Sequence, residues 1–546
     1  MFRSENFPPP YSCIRSPYLR SGIEDDNGAE FQQRSPPSPR IDMTTLPTTI
    51  EAALEKEGNV INQVSYGIAT AKLCDELWEH RDRVEALVRH HMALGKQDKC
   101  IVLSPDHWIR GGFNVCVMVD VLSKSSSRRV VFRCPMPHKL AELKYPGSVD
   151  EKLSCEVGAH AWIEAKCPEI RTPHLFGFGL LDGRHFTHAT HMPILPRVVR
   201  YCWHLIHDLL GLPLLSYYIY NQPEQQLHSA YMLLEYLGSE TGRMLSDTFD
   251  IYRGDGARRR RLFQGVSRTM LSLARIPQMR IGSFRFNQNG TVTLTNRPLS
   301  CSMMILENDD GTRTVQKDET FGCTDAYVSD MLAFHDQRFL SQPNAVYSED
   351  DCREQMAVKT LLRVLSRDFI KRELRNGPFP LQLTDFHASN ILVDEQWNVT
   401  GLIDLEWICA LPSEMVTVPY WVTGCAIDTI EGESFKHFDV VRQEFMEIFR
   451  KEEQATKAPP SHYINLSKIM QDMWKSKGVW FWYCLSSVNA MYFLLRAHLV
   501  PPTFLSSEAE RVLSTFWSRN SEEVVRMKLA HRGEYEKELR QLFHDG

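Results

Sequence analysis

The segment LQLTDFHASNILVDEQWNVTGLIDLEW, residues 381–407, constrains the fold more than any other part of the chain. An apolar lead-in reaches Asp385, and Asn390 follows five residues later, directly before an apolar run. A polar turn then leads into a second apolar run that ends at Asp404. Two short apolar runs joined by a polar turn predict a β-hairpin. Because hairpin strands lie side by side, we expect Asp404 to return beside Asn390, so that the three oxygen-bearing side chains converge.

Such a convergence suits phosphoryl transfer. The reaction needs a carboxylate near the attacking hydroxyl and oxygen ligands for the Mg²⁺ that bridges the nucleotide phosphates. Asp385 and Asn390 match the D-x-x-x-x-N spacing of a catalytic loop. We therefore predict Asp385 as the catalytic carboxylate, and Asn390 and Asp404 as magnesium ligands. The inert alternative is a turn aspartate, a strand-opening cap and a surface acid.

The same residues resemble the aminoglycoside phosphotransferase (APH) family, a branch of the protein-kinase-like fold that also includes the choline kinases. TDFHASNILVD resembles the family's Asp-Leu-His-Pro-x-Asn-Ile-Leu-Val-Asp loop, and GLIDLEW resembles its Ile-Asp-Trp-Glu segment, with Glu406 matching the family's Glu. The chain is similar, in particular, to fungal APH-domain proteins, over about residues 100–500. The resemblance implies an α+β fold of two lobes, a β-rich N-lobe and a mainly helical C-lobe. It also implies ATP or GTP and Mg²⁺ as cofactors, and a hydroxyl of a small molecule as acceptor. The identity of that acceptor stays open.

Three features of the predicted N-lobe fit the resemblance. Gly111 and Gly112 stand between strand signals, where a loop could cover phosphates; a plain hairpin turn is the alternative. Arg133 takes the place of the family's strand lysine, with Glu156 on the following helix as its expected partner. Arginine can hold phosphate through two hydrogen bonds but differs from lysine in reach, and an exposed strand arginine is the alternative.

The segment YMLLEYL, 231–237, matches the strand and hinge between the lobes. The resemblance implies that backbone groups of Glu235, Tyr236 and Leu237 bind the adenine. A core strand that leads into a loop is the simpler interpretation, and the two are compatible.

The catalytic loop departs from the family pattern before its aspartate. Leu383 and Thr384 replace the usual His-Gly or His-Arg pair, whereas His387 is kept and is expected to support the loop. This departure and Arg133 leave a second hypothesis open, a kinase-like binding or regulatory module without transfer activity. A third hypothesis is a protein kinase. Against it, DLEW replaces the Asp-Phe-Gly that opens an activation loop, and no Ala-Pro-Glu signal follows.

Composition sets the broader limits. With 546 residues, 43% of them hydrophobic, the chain can bury a large core and form more than one lobe. The net charge of -6 gives no support for nucleic-acid binding. The 14 cysteines show no CxxC pair, as is typical of reduced thiols in an intracellular protein, and the first residues lack the apolar core of a secretory signal. We expect a cytoplasmic protein; its oligomeric state stays open.

Changes in composition and in the spacing of apolar residues along the sequence predict three regions. Residues 1–45 read as a disordered tail, 46–237 as an N-lobe with a helical prelude and a nucleotide-binding sheet, and 238–546 as a helical C-lobe with the catalytic loop and the substrate region. The uncharged segment 479–495 favours a buried core helix over a membrane span. The segment 204–220 favours a packed surface helix, with membrane-surface contact as the alternative, so no stable membrane insertion is expected.

Residues of the predicted C-lobe offer candidates for acceptor binding. Trp407, Tyr420 and Trp421 could wall a pocket or pack the core. Glu406 and Glu414 could attract an amine, although structural roles are favoured. The arginine run 258–261 could receive an anion, but a solvated helix start is the favoured interpretation.

Overall fold

The computed structural model describes residues 49–56, 58–123, 127–456, 464–487, 490–501 and 506–544, so the predicted tail at 1–45 lies outside it. The described chain is a mixed α/β structure with antiparallel sheets and many helices. The helices are α1 Ile50–Leu54, α2 Val60–Glu79, α3 Arg81–His91, α4 Ser148–Lys166, α5 Ile194–Leu210, α6 Phe249–Tyr252, α7 Gly256–Ala274, α8 Cys301–Asn308, α9 Thr324–Ser341, α10 Glu349–Phe369, α11 Gly432–Ala455, α12 Leu466–Lys475, α13 Gly478–Ser486, α14 Met491–Leu494, α15 Ser507–Thr515 and α16 Ser521–His544. The strands are β1 Lys99–Val102, β2 Ile109–Arg110, β3 Asn114–Leu122, β4 Ser127–Pro135, β5 Leu175–Gly179, β6 His185–His188, β7 Leu214–Leu215, β8 Tyr218–Tyr220, β9 Tyr231–Glu235, β10 Arg243–Met244, β11 Gly282–Phe286, β12 Thr291–Asn296, β13 Leu381–Leu383, β14 Ile391–Val393, β15 Val399–Leu402 and β16 Ile408–Ala410.

The largest sheet has the order β1-β3-β4-β9-β5-β6-β8, with β2 paired to β3. Its longest pair, β3 and β4, runs antiparallel from Asn114↔Pro135 to Leu122↔Ser127. Alternate residues of β4 point to opposite faces. Val130 and Phe132 pack in one hydrophobic cluster with α2 and α3, whereas Arg133 reaches Glu156 of α4 on the other face.

Helix α4 is buried on nearly all sides because a second sheet covers it. That sheet has the order β13-β16-β11-β12-β7. Trp162 of α4 stacks on Phe284 of β11, with ring centroids 5.4 Å apart. Gly158 allows the close approach, since a Cβ there would lie 2.9 Å from the Cβ of Phe284. The helix therefore links the largest sheet to the elements that follow residue 280.

A third, small sheet positions the segment 381–407. Its order is β10-β14-β15, and β14 and β15 pair antiparallel with Ile391 opposite Leu402. The hairpin predicted at 391–402 is thus confirmed. Strand β10, just after the predicted hinge, pairs with β14 and so joins the hinge to this hairpin.

The division at residue 237 is not a simple spatial boundary. Strand β7 lies before it in sequence, yet β7 pairs with β12, which lies after it. The C-terminal helix α16 also reaches back, since the Tyr535 hydroxyl oxygen accepts from the Val60 N–H at the start of α2 at 3.1 Å. The two-lobe arrangement therefore stays a prediction.

The two apolar segments differ in their surroundings. Residues 478–485 of α13 are buried, as expected for a core helix, but α13 ends at Ser486 and so covers only the first half of the predicted segment 479–495. Helix α5 instead turns its polar side to the protein: Arg200 and His204 donate to or contact the carbonyl of Ser216, while Leu195 and Leu209 are 74% and 85% exposed. A surface helix is therefore present, but it differs from the packed helix expected at 204–220: α5 ends at Leu210, strands β7 and β8 follow, and its apolar side faces solvent. Within the described residues, no helix is both long enough and apolar enough to cross a membrane.

Candidate active site

The loop after β13 brings Asp385, His387 and Asn390 together. The Asn390 side-chain amide donates to the backbone carbonyl of Asp385 at 3.0 Å. His387 Nε2 lies 3.2 Å from Asp385 Oδ1 and 3.4 Å from Asn390 Nδ2. The imidazole thus contacts both residues, which agrees with the supporting role predicted for His387. The Asp385 side chain remains 33% exposed, so a molecule from solvent can reach it.

Asp404 follows β15 and comes back beside Asn390, as the hairpin predicted. The N–H of Ile403 donates to the Asn390 carbonyl at 3.0 Å, which places the next residue at the same end of the hairpin. Asp404 has a φ of 62°, in the left-handed region that few residues other than glycine, asparagine and aspartate adopt. Strained backbone of this kind clusters at functional sites, because the surrounding structure must hold it in place.

Arg133 joins this end of the hairpin to the largest sheet. Its guanidinium donates to Asp404 Oδ1 at 2.7 Å and to Glu406 Oε2 at 3.3 Å, and it also forms an ion pair with Glu156. The predicted Arg133–Glu156 pair is therefore present, and Asp404 belongs to the same cluster. The alternative of an exposed strand arginine does not describe Arg133, whose side chain is 11% exposed.

Lys152 completes the cluster, although this lysine was not among the site residues predicted from the sequence. Its ammonium donates to Asn114 Oδ1 at 2.9 Å and to Glu156 Oε2 at 3.1 Å, and it also forms an ion pair with Glu406. The side chain is fully buried. A lysine one helical turn before Glu156, and therefore on the same side of the helix, was the available signal.

The charges in this cluster do not cancel. Two cations, Arg133 and Lys152, face three carboxylates, Glu156, Asp404 and Glu406. Burial by itself would lower the pKa of Arg133, but Asp404 and Glu156 outweigh it and hold the pKa well above its usual value. Burial opposes the charge of Lys152 in the same way, and Glu156 and Glu406 raise its pKa. Both cations stay charged, and the remaining negative charge favours a further cation.

Asn390 and Asp404 have the ligand atoms that Mg²⁺ prefers. Within the described part of the chain, the Asn390 side-chain oxygen and Asp404 Oδ2 accept no hydrogen bond. Oxygen atoms from an amide and a carboxylate suit this cation. Glu156, Asp404 and Glu406 also place one carboxylate oxygen each within 4.8 Å of one another. However, Arg133 and Lys152 already pair with Glu156 and Glu406, so Asp404 is the member with an oxygen to spare.

A second group of metal-ligand type lies at the other end of α4. Glu164, His174 and His188 place one ligand atom each within 4.8 Å of one another. His188 Nε2 contacts Glu164 Oε1 at 3.0 Å, and its Nδ1 contacts the Thr190 hydroxyl at 2.7 Å. Burial lowers the pKa of His174. The polar contacts of His188 are accounted for by these neighbours.

Gly111 and Gly112 form the turn between β2 and β3. The Gly111 N–H donates to the Asn114 carbonyl at 2.9 Å, which closes a hairpin turn. Phe113 packs edge-on against Trp407, with ring centroids 5.4 Å apart, and Asn114 donates to Glu406 at 3.1 Å. The turn therefore lies next to the charged cluster, as a phosphate-covering loop would. Whether it binds phosphate stays a prediction.

The hinge segment lies beside the hairpin that carries Asp404. The Glu235 carboxylate is held by Arg171 at 2.6 and 2.7 Å, so its side chain is occupied. A Cβ on Gly401 of β15 would lie 3.7 Å from the Leu237 side chain. The backbone N–H and carbonyl groups of Tyr236 and Leu237 have no backbone partner in the described ranges. Such groups could bind an adenine, as the resemblance implies.

The other residues predicted for acceptor binding lie either in the core or at a cavity. Trp407 is 2% exposed and packs on Phe113, so core packing describes it. Tyr420 and Trp421 line a cavity of about 420 Å³ that also reaches Asp385. Glu414 is buried and accepts from the Lys371 N–H at 3.1 Å, and burial raises its pKa.

The arginine run 258–261 lies in the first turns of helix α7. Asp255 caps α7, and Arg259 pairs with Glu444 at 2.6 Å. The solvated helix start favoured for this run agrees with these contacts.

Comparisons with known proteins add little to this geometry. No protein-family model matches the chain, and no curated protein matches it. Among solved structures, it is similar to an ethanolamine kinase of Plasmodium vivax, at a TM-score of 0.32 and 11% sequence identity, over 80% of this chain and 85% of that chain. A similarity this low assigns neither a fold nor an activity.

Proposed function

We propose that this protein is an ATP- or GTP-dependent, Mg²⁺-dependent phosphotransferase with a protein-kinase-like fold, and that its acceptor is a hydroxyl of a small molecule. The resemblance of residues 381–407 to the APH family led to this proposal. The observation that carries it is the contact of Arg133 with Asp404, the residue after Ile403, whose N–H donates to the Asn390 carbonyl. The partly exposed carboxylate of Asp385 lies in the same loop as Asn390. These are the parts that phosphoryl transfer requires.

In the proposed reaction, the acceptor hydroxyl lies against Asp385. Its oxygen forms a bond to the terminal phosphorus as the bond to the nucleoside diphosphate breaks, and its proton passes to the Asp385 carboxylate. His387, 3.2 Å from that carboxylate, orients it. Asn390 and Asp404 would hold Mg²⁺, which neutralises charge on the phosphates when bound. Positioning and charge neutralisation then supply most of the rate enhancement.

The same proposal assigns the nucleotide to the region between the charged cluster and the hinge. Arg133, held by Glu156, would contact a phosphate, and the turn at Gly111 and Gly112 would cover it. The backbone groups of Tyr236 and Leu237, which have no backbone partner among the residues that the structure describes, would bind the base.

One observation favours a second candidate, a kinase-like module that binds or regulates without transfer. Arg133 donates directly to Asp404, the carboxylate that a metal would use, and Leu383 stands where the family places a supporting histidine. In that case Arg133 would take over the neutralising role of the metal. A protein kinase is the weaker alternative because DLEW replaces Asp-Phe-Gly.

The deciding experiment measures thermal unfolding of the full chain with and without Mg-ATP or Mg-GTP, and then follows phosphate transfer. Binding to the folded state alone at 100 times Kd stabilises by about 2.7 kcal/mol, which for a chain of this size corresponds to a rise on the order of 2 °C. We expect Asp385→Asn to keep this rise and lose transfer to a panel of small alcohols. A rise without transfer in the wild type, for every acceptor tried, would favour the binding module. The absence of any Mg-dependent rise would contradict the phosphotransferase, and the absence of any rise with nucleotide, with or without Mg²⁺, would contradict nucleotide binding by the second candidate as well.

A further inference from the structure

Helix α5 presents a continuous apolar side to solvent. Ten of its 17 residues are large apolar or aromatic side chains that are exposed, and His204 is its one buried residue. Polar side chains spaced four and three residues apart bind the opposite side to the protein. Arg200 and His204 contact the Ser216 carbonyl, and His207 contacts the Pro213 carbonyl at 2.8 Å. These contacts fix the orientation of α5, so its apolar side cannot turn inward without breaking them.

The area of this apolar side is sufficient for a specific protein interface. The exposed fractions of its side chains range from 39% at Ile206 to 85% at Leu209. Since one large side chain has roughly 150–250 Å² of surface, ten such side chains expose on the order of 1,000 Å². The largest apolar patch of a typical monomer is about 300–600 Å², and a specific complex buries about 800 Å² on each partner. A patch of this size therefore indicates an interaction surface.

The residues along the middle of this side repeat with the spacing of a helix–helix contact. Five exposed residues follow one another at intervals of three, four, three and four, and we call them the α5 seam: Leu195, Val198, Cys202, Leu205 and Leu209. This repeat is the a/d pattern by which the side chains of two helices interdigitate. The partner that it fits is an exposed helix with the same repeat, which a second copy of α5 supplies.

The charges at the edge of the α5 seam favour an antiparallel second copy. Arg197 and Asp208 are both exposed, and eleven residues, or about three turns, separate them, so they lie on the same edge of the helix. In an antiparallel pair that sets Cys202 opposite Leu205 of the other copy, each Arg197 comes beside the Asp208 of the other copy. A parallel pair would instead set like charges side by side, which is unfavourable.

A lipid surface fits this helix less well. Helices that lie in a membrane interface are rich in lysine and arginine beside their apolar side. From residue 185 to residue 222 the chain has no lysine, and Arg200 is turned to the protein. The exposed Arg197 is balanced by Asp208 on the same edge, so α5 offers no excess of cations to an anionic lipid.

We propose that the apolar side of α5 is a homodimer interface, in which the α5 helices of two copies pack antiparallel around a two-fold axis. Val198 of one copy lies opposite Leu209 of the other, and Cys202 lies opposite Leu205. Removal of the exposed apolar surface from water drives the association. Arg197 and Asp208 set the direction of the two helices.

Light scattering during size-exclusion chromatography of the full chain, at micromolar concentration, tests the association. We expect the mass of two chains for the wild type. Leu205→Glu places two like charges in the middle of the interface, so the dissociation constant of the dimer should rise about 10-fold or more. Val440→Glu is the matched control, because Val440 lies on helix α11 and is 67% exposed, and this variant should stay dimeric. Far-UV circular dichroism checks that both variants are folded.

Two results would overturn the proposal. One is a wild-type mass of a single chain, and the other is a dimer that Leu205→Glu leaves intact, because another surface would then hold it. Flotation with vesicles of phosphatidylcholine and phosphatidylserine tests the competing occupant. Vesicle binding by a monomeric wild type, lost in Leu205→Glu, would assign the apolar side of α5 to lipid instead.

Disulfide cross-linking tests the direction of the helices. In a Cys202→Ser background, chains with Val198→Cys are mixed with chains with Leu209→Cys and oxidised with copper–phenanthroline. The antiparallel pair sets these two positions face to face, whereas each position lies about 16 Å along the axis from its own counterpart, too far for a disulfide. We expect cross-linked dimers from the mixture and none above the Cys202→Ser background from either variant alone. Cross-linking of a single variant with itself would show a parallel pair and overturn the antiparallel packing.

Discussion

Arg133 of β4 donates to Asp404 after β15 across 2.7 Å, although 271 residues separate them in sequence. The contact joins the largest sheet to the small sheet that carries Asn390. Because Asp404 still has a second carboxylate oxygen, a magnesium ion could share this residue with Arg133 rather than compete for it. In the proposed phosphotransferase, Mg²⁺ and Arg133 share Asp404. In the proposed binding module, Arg133 takes the place of the metal.

The first prediction concerns Asp404→Asn. The change removes the carboxylate charge but keeps a side chain that tolerates the left-handed φ of 62° at this position. We expect the midpoint without ligand to change little, and the Mg-dependent rise with nucleotide to be lost. Thermal unfolding at matched ligand concentrations measures both.

Glu395→Gln is the control for Asp404→Asn. Glu395 lies in the turn of the same hairpin, and its side chain is 85% exposed. This variant should respond to Mg-nucleotide as the wild type does. If Asp404→Asn kept the full rise as well, Asp404 would not be a metal ligand, and Arg133 would be its functional partner.

The second prediction concerns the buried cluster. Lys152→Met keeps the apolar stem but leaves Glu156 and Glu406 short of a cation, so it should lower the free energy of unfolding by about 3–5 kcal/mol. Adding Glu406→Gln removes one carboxylate and keeps an acceptor for Arg133, so the double variant should recover part of the loss. Denaturant midpoints of the wild type, both single variants and the double variant give the coupling energy.

The exposed pair Lys72–Glu76 provides the comparison. Lys72 has a side chain that is 78% exposed, and Lys72→Met should change stability by less than about 0.5 kcal/mol. A loss at Lys152 no larger than the loss at Lys72 would mean that the cluster is solvated and that its charges are screened.

Local pattern predicted much of this geometry. The hairpin at 391–402, the helix that carries Glu156 and the strand that carries Arg133 all follow from apolar periodicity and turn residues, and the D-x-x-x-x-N spacing located Asp385 and Asn390. Lys152 could not be found this way, because its partner Glu406 lies more than 250 positions away and only the tertiary fold brings them together. The orientation of helix α5 was not predicted for a related reason. The helix is amphipathic, but Arg200 and His204 bind its polar side to the protein, so that its apolar side faces solvent. Periodicity identifies the two sides of a helix and does not say which side meets the protein.

The third prediction concerns Gly158, where α4 meets β11. An alanine Cβ at this position would lie 2.9 Å from the Cβ of Phe284 and 3.5 Å from the backbone nitrogen of Arg285, so α4 would have to move. We expect Gly158→Ala to lower the free energy of unfolding by about 1–3 kcal/mol, as overpacking does. Because α4 also carries Lys152 and Glu156, the Mg-nucleotide response should weaken too.

Gly533→Ala is the control for the Gly158 substitution. Gly533 lies in helix α16, and nothing lies within 4 Å of a Cβ built there. Here the higher helix propensity of alanine should raise stability, by about 0.5–1 kcal/mol. Equal effects at Gly158 and Gly533 would show that helix propensity and not the contact with Phe284 governs both.

The last prediction concerns the pH dependence that buried His335 adds. Its Nε2 contacts the Leu485 carbonyl at 2.8 Å, and burial, together with Arg338, Lys359 and Arg363, lowers its pKa to about 3. As the pH falls below about 6.5, the unfolded chain takes up a proton at this histidine that the folded chain does not. Stability is therefore fully present above that pH and falls, by about 1.4 kcal/mol per pH unit from this residue, until the pH approaches the folded pKa.

His335→Gln tests this sign. Glutamine can still donate to the Leu485 carbonyl, but it does not titrate, so the variant should lose less stability than the wild type between pH 6 and pH 5. The same substitution at His228, which is exposed, should leave the wild-type pH dependence in place. Denaturant unfolding across this range measures how steeply the free energy of unfolding depends on pH. Equal slopes for the wild type and His335→Gln would contradict a neutral buried histidine. A histidine that stayed charged in the folded state would contribute no difference in proton uptake.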